Sequence, residues 1–522
     1  MKLVTMFLLI LTIIFPISSF PCGHSQLQKN ITLKFINYTD TETESKLRNT
    51  AEYHPLEFFV DYTNFVAFNP SVSQSYQKQM KNAITKATEA LGKLLNVAYH
   101  PRFSAYLKDC DSDLIYNEFV STSKDVLLIP LIKTQRDLGE NVIASASACL
   151  MESRTKRPIA GILNLLNTYK FESKNAEEYL QMLLIHEITH ILVFSSGLFD
   201  YFNTNKEIYK QVTLRGEKKI IIVTPKVVEM ARVHFGCDSL EGVEIESQGG
   251  SGSAGSHWEA RTMLGDYMIS TNYDESVISE ITLGLFEDSG WYTVNYYTGG
   301  LFRFGKNQGC DFIKEKCVID GKTTFPLDFC TKNYEGCTAG HLAKGECYLG
   351  KYEETLPKRF QYFSEPKAGG FPSADYCPVT AVPFDEVYSY YLPLHCKSGT
   401  ETHSSKYGET LGERSICVET MFDSKHMGIC YEVKCKSDPN RIEITVNDEV
   451  IVCKEGEEEK EVLLHGVLYC PDYIRICSGT KWCNDPLDCI NDESYNTEYK
   501  KGNYIHINML LLMLYLFILG IM

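Results

Sequence analysis

The sequence predicts an α+β protein, a mixed sheet packed against long helices and followed by a disulfide-rich, mostly β or irregular region. Three observations lead there. Apolar runs of strand length at 56–62, 126–132, 142–149 and 159–165 are interleaved with helix-length segments. From Leu183 to Phe194 nearly every position outside one polar motif is apolar, the pattern of a helix in the middle of a core, and Ala176 to Ile185 leads in with good helix formers and acids near its start. Fifteen of nineteen cysteines fall between Cys310 and Cys489, where regular periodicity fades. A chain of 522 residues is too long for one ordinary core, so two or three domains are expected. The formal net charge of −16 disfavours nucleic acid as a partner and offers no basic face to anionic lipid.

At the N-terminus, Met1-Lys2-Leu3, an apolar run from Met6 to Ile17 and Ser18-Ser19 read as a secretory signal over 1–19. Residues 20–54 read as a processed leader with two glycosylation acceptors, Asn30-Ile31-Thr32 and Asn37-Tyr38-Thr39. Leu56 to Tyr62 has strand character. Ile84, Ala87, Leu91 and Leu94-Leu95 set a helical period from about Ser75 to Leu95. Three strands follow, and the last of them, 159–165, is either a plausible edge for aligning an extended peptide or an ordinary interior strand. The acidic run Glu455 to Glu461 reads as an exposed loop. The tail from Ile507 to Met522 is apolar and shorter than a comfortable membrane span. With its polar spacer (491–506) it suits a signal exchanged for a glycolipid anchor, or else a short membrane helix. Secretion of so cysteine-rich a chain implies disulfides. The odd count leaves one cysteine over, and Cys22 stands alone after the signal.

The chemistry concentrates in Leu183-Leu184-Ile185-His186-Glu187-Ile188-Thr189-His190. On a helix, His186 and His190 lie about 40° apart around the axis and share a face. Two imidazoles so placed can hold one zinc ion, and Glu187, about 100° round, can serve a metal-activated water as general base. A hydrogen-bonded core cluster is the alternative. It would have to satisfy two His and a Glu inside an apolar helix, at about 1–3 kcal/mol for each group left unpaired. A catalytic zinc site needs a third protein ligand. His234, near Cys237, and His257, in Gly249-Gly250-Ser251-Gly252-Ser253-Ala254-Gly255-Ser256-His257, are the candidates; the Gly/Ser loop lets the backbone bring His257 close.

These motifs resemble the leishmanolysin family of zinc metalloproteases, within the metzincins. The likeness rests on the helix motif, Gln248 to Arg261, Cys149 to Asn164, Gly284-Leu285-Phe286-Glu287-Asp288-Ser289-Gly290-Trp291-Tyr292 and Asn307-Gln308-Gly309-Cys310-Asp311-Phe312. It implies a metzincin-like catalytic domain over 55–305, with an insertion at 191–256, and a cysteine-rich domain over 306–490. It also implies one catalytic Zn2+ on His186, His190 and His257, Glu187 as the base, and Met268 in a turn beneath the metal; composition alone would make Met268 plain core. Pro21-Cys22-Gly23-His24 is similar to the family's propeptide pattern, in which a thiolate occupies the water position; an ordinary disulfide partner is the alternative. The activity so implied is that of a zinc metalloendopeptidase on protein or peptide substrates, made as a zymogen and displayed on the outer cell surface.

One departure stands out. Family members usually place Gly three residues after the second His, where this chain has Val193. A β-branched residue resists positive φ, so the helix is expected to run on and break near Ser195-Ser196-Gly197. The departure also leaves room for an inactive, protease-derived surface adhesin. A structural zinc site is a third reading, though such sites are usually closed by four protein ligands, often Cys.

Overall fold

The computed structural model describes residues 22, 24, 27, 31–37, 53–98, 102–138, 142–167, 176–247, 254–271, 275–296, 302–385, 390–391, 394–397, 399, 404–437, 439–462 and 466–477. The expected signal, the Asn30 acceptor, most of the Gly/Ser loop, Cys483, Cys489 and the apolar tail lie outside these. Among the described residues no helix is long and apolar enough to cross a membrane.

The first half is built on a five-stranded mixed sheet. Its strands are β1 (Lys34–Ile36), β2 (Phe58–Val60), β3 (Val126–Lys133), β4 (Ala144–Glu152) and β5 (Pro158–Leu166), in the order β1-β4-β5-β3-β2. Only β4 and β5 pair antiparallel; β5 with β3, β3 with β2 and β1 with β4 are parallel. The continuous apolar run of β3 has a simple cause. Val126, Leu128 and Ile132 join the large core, while Leu127, Ile129 and Leu131 join a smaller cluster on the other face. Successive strand side chains point to opposite faces, so a strand covered on both faces is apolar throughout. The smaller cluster contains the Cys110–Cys149 disulfide, which fastens the back of β4.

Two helices cover the large face. Helix α1 (Gln74–Leu94) is capped by Ser73, whose side chain accepts from the Tyr76 N–H, and it buries Ile84, Ala87 and Leu91. Helix α2 (Ala176–Leu192) lies between α1 and the sheet, with Leu184, Ile185, Ile188 and Ile191 fully buried. Gly161 on β5 is what lets α2 approach: a Cβ there would stand 2.5 Å from Ile191 Cγ2.

Beyond α2 the chain forms a small sheet, β6 (Tyr209–Leu214), β7 (Glu217–Ile222) and β8 (Val243–Glu244), interrupted by α3 (Pro225–Phe235). Helix α4 (Glu280–Asp288) packs on α3, its Gly284 leaving room for the Lys226 backbone. The large apolar cluster continues without a break to Ala381.

A second core, Tyr407 to Ile476, sits under an antiparallel sheet of six strands. These are β9 (Ser415–Phe422), β10 (Lys425–Ser437), β11 (Asn440–Val446), β12 (Glu449–Lys454), β13 (Glu459–Val462) and β14 (Gly466–Tyr469), ordered β12-β11-β10-β9-β14-β13. Its tight turns place Asp423-Ser424 and Asn447-Asp448 at positive φ, the pattern of two-residue hairpins. Buried Arg475, on helix α5 (Tyr473–Cys477), meets Asp328 at 2.7 Å and ties this core to the first. Among the described residues eight disulfides join sixteen cysteines, and Cys22 is free and buried.

Three expectations change. Strand β5 is interior rather than an edge, lying between β4 and β3 because both of its neighbours hydrogen-bond to it. The acidic run is only partly a loop, since Glu459 to Glu461 fall in the outer strand β13. Helix α2 ends at Leu192, before the expected break. The Val193 and Phe194 N–H groups both return to the Thr189 carbonyl at 2.9 and 3.0 Å, and Val193 is not among the residues with positive φ.

Replacing Gly161 by valine should overpack the β5–α2 contact and destabilise the fold by about 1–3 kcal/mol. A lowered thermal unfolding midpoint is expected; an unchanged midpoint would contradict this account of the contact.

Candidate metal centre

His186 and His190 project from the same face of α2 into the large core, and both are buried. His186 Nδ1 lies 2.6 Å from the Tyr267 carbonyl, and His190 Nδ1 lies 2.7 Å from the Phe194 carbonyl. A carbonyl only accepts, so each Nδ1 carries the proton and each Nε2 presents a lone pair. Burial pushes the His186 pKa down to about 4, and burial together with the neighbouring imidazoles holds His190 well below its ordinary value. Both rings are therefore neutral acceptors.

The insertion brings the third ring. Its sheet returns through β8, where the Glu246 N–H donates to the His257 carbonyl at 2.8 Å and the Glu259 N–H donates to the Glu244 carbonyl at 3.0 Å. Gly255 takes φ +87°, a conformation glycine accepts without a Cβ penalty. A buried ionic network locks this return. Arg215 grips Glu244 at 2.7 and 2.6 Å, and Lys219 reaches Asp375 at 3.0 Å and Glu259 at 3.4 Å. His257 thereby arrives fully buried, its Nε2 3.2 Å from that of His190, which is itself 3.1 Å from that of His186.

Three ring nitrogens at these separations fit a cation. Tetrahedral zinc with bonds of about 2.0–2.1 Å sets ligand nitrogens about 3.3 Å apart. Cys22 supplies a fourth corner. Its Sγ lies 3.4 Å from His190 Nε2, and ligand atoms of Cys22, His186, His190 and His257 all fall within 4.8 Å of one another. Among the described residues this is the one such metal-binding group of His, Cys, Asp and Glu. Zinc–sulfur bonds of about 2.3 Å give a sulfur–nitrogen edge near 3.6 Å, so the thiol also fits. Burial and the Glu187 charge push the Cys22 thiol well up; a divalent ion inverts that preference.

Glu187 is fully buried beside the thiol. Its Oε1 accepts from Cys22 Sγ at 3.3 Å while Oε2 has no hydrogen-bond partner, and burial raises its pKa to about 8.

The turn after His257 supports the centre from below. Asp266 accepts from the Met268 N–H at 2.7 Å and from Thr282 Oγ1 at 2.7 Å, and Ser279 Oγ also donates to it. The Met268 carbonyl accepts from the Trp258 N–H at 2.9 Å, and Met268 itself is completely buried. Tyr267, between them, orients His186 by its carbonyl and meets Thr189 Oγ1 with its hydroxyl at 3.0 Å. Neither Asp266 nor Tyr267 is apparent from the motif, although a lone acid in the apolar stretch before Met268 is a signal. His234 is elsewhere: its Nε2 meets the Phe304 carbonyl at 2.8 Å and its ring stacks on Phe302 at 4.5 Å, a core histidine.

The leader is anchored beyond Cys22. The His24 ring stacks on His190 at 4.1 Å, Nδ1 meets the Ala146 carbonyl at 2.5 Å and Nε2 meets Ser195 Oγ at 3.0 Å. Further on, β1 pairs with β4 from Lys34–Leu150 to Ile36–Glu152.

Comparison with known proteins agrees with this geometry. The peptidase family profile described as Leishmanolysin matches residues 110–483. A leishmanolysin homolog of Crithidia fasciculata is 31% identical over 389 residues, covering 69% of this chain and 56% of that protein. A leishmanolysin-like peptidase of Caenorhabditis briggsae is 28% identical, covering 73% of this chain and 69% of its own length. The leishmanolysin of Leishmania donovani is 26% identical, with 69% and 62% covered. The chain thus spans little more than half of the Crithidia relative. With a matched profile that begins before the centre and ends after the second core, the chain belongs to the leishmanolysin family of peptidases.

Proposed function

We propose that the chain is a zinc-dependent endopeptidase of metzincin type, kept silent by its own leader. The observation that carries this is the convergence of the His186, His190 and His257 Nε2 atoms beside a buried carboxylate. Zinc held by these three rings would supply a Lewis acid for the scissile carbonyl and a water whose pKa falls to about 7. The protein's own groups do the rest. Glu187 lies against the position of the Cys22 thiol, so a water in that position is within its reach. The carboxylate takes the proton as the water oxygen adds to the peptide carbon. It then hands the proton to the amide nitrogen as the C–N bond breaks, leaving an acid and an amine. Met268, on its pinned turn, gives the centre an apolar floor. The hydrogen bonds from His186 and His190 to backbone carbonyls hold the rings in the required tautomer.

Cys22 fills the corner that water needs, and His24 and β1 hold it there, so removal of the leader is the activating step. Eight disulfides support a secretory, oxidising route. With the apolar N-terminal run and tail, they support display of a glycosylated enzyme on the outer cell surface, attached at its C-terminus. The inactive-adhesin reading drew on Val193, and α2 ends there without displacing either histidine.

Glu187→Ala should leave zinc bound while cleavage of a generic polypeptide falls by orders of magnitude; undiminished cleavage would remove Glu187 from its role. His257→Ala should bring zinc, read by elemental analysis, well below one per chain, and a full complement would point to another third ligand. In the uncut chain, Cys22→Ala should raise peptidase activity above wild type, whereas equal activity would show that the thiol is not the block.

A further inference from the structure

Strand β4 has β1 as its outer neighbour, so loss of the leader makes it an edge strand. The side chains of β1 divide between the two faces of the sheet. Ile36 packs on the smaller cluster behind, and Lys34 reaches Asp109 at 3.5 Å. Phe35, between them, turns to the other face. Its ring meets that of Tyr201 at 5.5 Å, and the Lys156 ammonium stands 4.5 Å from its centroid. Tyr201 packs against the large core, so this is the face that carries the metal centre.

Both walls of this slot are built without Phe35. On one side Lys156 takes φ +60°, and its N–H donates to the Glu152 carbonyl at 2.9 Å. The Glu152 carboxylate accepts from the Arg154 N–H at 2.9 Å and from the Thr155 N–H, which fixes the same turn. On the other side Tyr201 ends a single 3-10 turn, its N–H donating to the Leu198 carbonyl at 2.9 Å. Trp291 ties the walls together. Its Nε1 donates to the Thr155 carbonyl at 3.0 Å, and its ring meets that of Phe202 at 5.2 Å. Phe35 itself stays 40% exposed, so the slot is open to solvent and stands outside the core. The backbone beside it is held by pairing, with the Ser153 N–H donating to the Ile36 carbonyl at 2.9 Å.

We propose that, once the leader is lost, this slot takes an aromatic side chain of an extended peptide substrate lying along β4. His24 meets the Ala146 carbonyl beside the metal centre, whereas Phe35 pairs with Met151. At about 3.3 Å per residue, the slot lies roughly 15 Å along the strand, about five residues from the bond to be cut. Main-chain pairing with an edge strand tolerates any sequence, so the slot supplies the selectivity. An aromatic ring gives Lys156 a negative face and Tyr201 a ring partner, and an aliphatic group of the same size gives neither. The substrate assignment rests on the hydrolysis proposed above; occupation of the slot does not, because it is read without cleavage.

The test uses calorimetric titration of the Glu187→Ala chain, before and after removal of the leader, with the peptide Ile31-Thr32-Leu33-Lys34-Phe35-Ile36-Asn37. Saturable binding is expected after removal and not before, when the slot is filled. The same peptide with Phe35→Ala should bind at least about fivefold more weakly. With cyclohexylalanine at that position it should bind about two- to fivefold more weakly, and Lys156→Met should abolish that difference. Equal binding by the uncut chain, by the alanine peptide or by the cyclohexyl peptide would overturn the slot. Should Lys156→Met fail to fold, the three peptides decide it alone. On the processed wild-type enzyme, Phe in place of Ala at the fifth residue before or after the cut should raise kcat/KM about fivefold at one of the two positions. Equal rates at both would overturn the substrate assignment. Absence of any cleavage would instead contradict the hydrolytic reading, with the titrations still deciding the slot.

Discussion

Three buried imidazoles gathered at one point, with the His186 and His257 Nε2 atoms 3.1 and 3.2 Å from that of His190, are the constraint on which the rest of this structure depends. The lone pairs of His186 and His190 face each other there, and an unsatisfied buried acceptor costs about 1–3 kcal/mol. On α2 both Nδ1 atoms are already committed to backbone carbonyls. A divalent cation converts the same arrangement from a liability into a binding site. Much of the surrounding architecture serves to hold the three rings together. The Tyr267 carbonyl fixes one, the turn at Phe194 fixes another, and the ionic network of Arg215, Lys219, Glu244, Glu259 and Asp375 fixes the chain that delivers the last.

The same logic explains the leader. A centre with one open corner is filled by whatever soft or anionic group is held close, and Cys22 is held by more than its own thiol. His24 stacks on a metal-facing ring and bridges β4 to the end of α2 through Ala146 and Ser195. The β1 strand extends the sheet at the β4 edge. The N-terminal segment thus meets the centre by side chain and by ring stacking, and joins the sheet by main-chain pairing. A protein processed to lose it would gain an open metal corner and an unpaired sheet edge together, which is what an extended peptide substrate requires.

The chemistry was more legible in the sequence than the scaffold that arranges it. The i, i+4 histidines and the adjacent glutamate are set by helix geometry alone, so they can be read without tertiary knowledge. Strands β3 and β5 were visible because each is a nearly unbroken apolar run, a consequence of burial on both faces. The strand order was not: β5 is interior because β4, joined to it by a short turn, pairs on one side and β3 on the other. The consequence of Val193 was also hidden. Whether a helix needs glycine to stop depends on where the next N–H groups turn, and here they fold back to Thr189 without a left-handed residue. Asp266 and Tyr267 act through a carboxylate on backbone N–H and through a main-chain carbonyl, contacts that leave little trace in residue identity. The six-stranded sheet gave one overlooked signal, the Asp423-Ser424 and Asn447-Asp448 turns between alternating runs, masked by the density of cysteines.

The most direct measurement is X-ray absorption at the zinc edge on purified full-length protein, before and after the leader is cut away. The account predicts one zinc per chain with nitrogen neighbours near 2.0 Å and one sulfur near 2.3 Å, the sulfur giving way to oxygen once the leader is gone. Absence of zinc, or a sulfur signal that survives removal of Cys22, would contradict it.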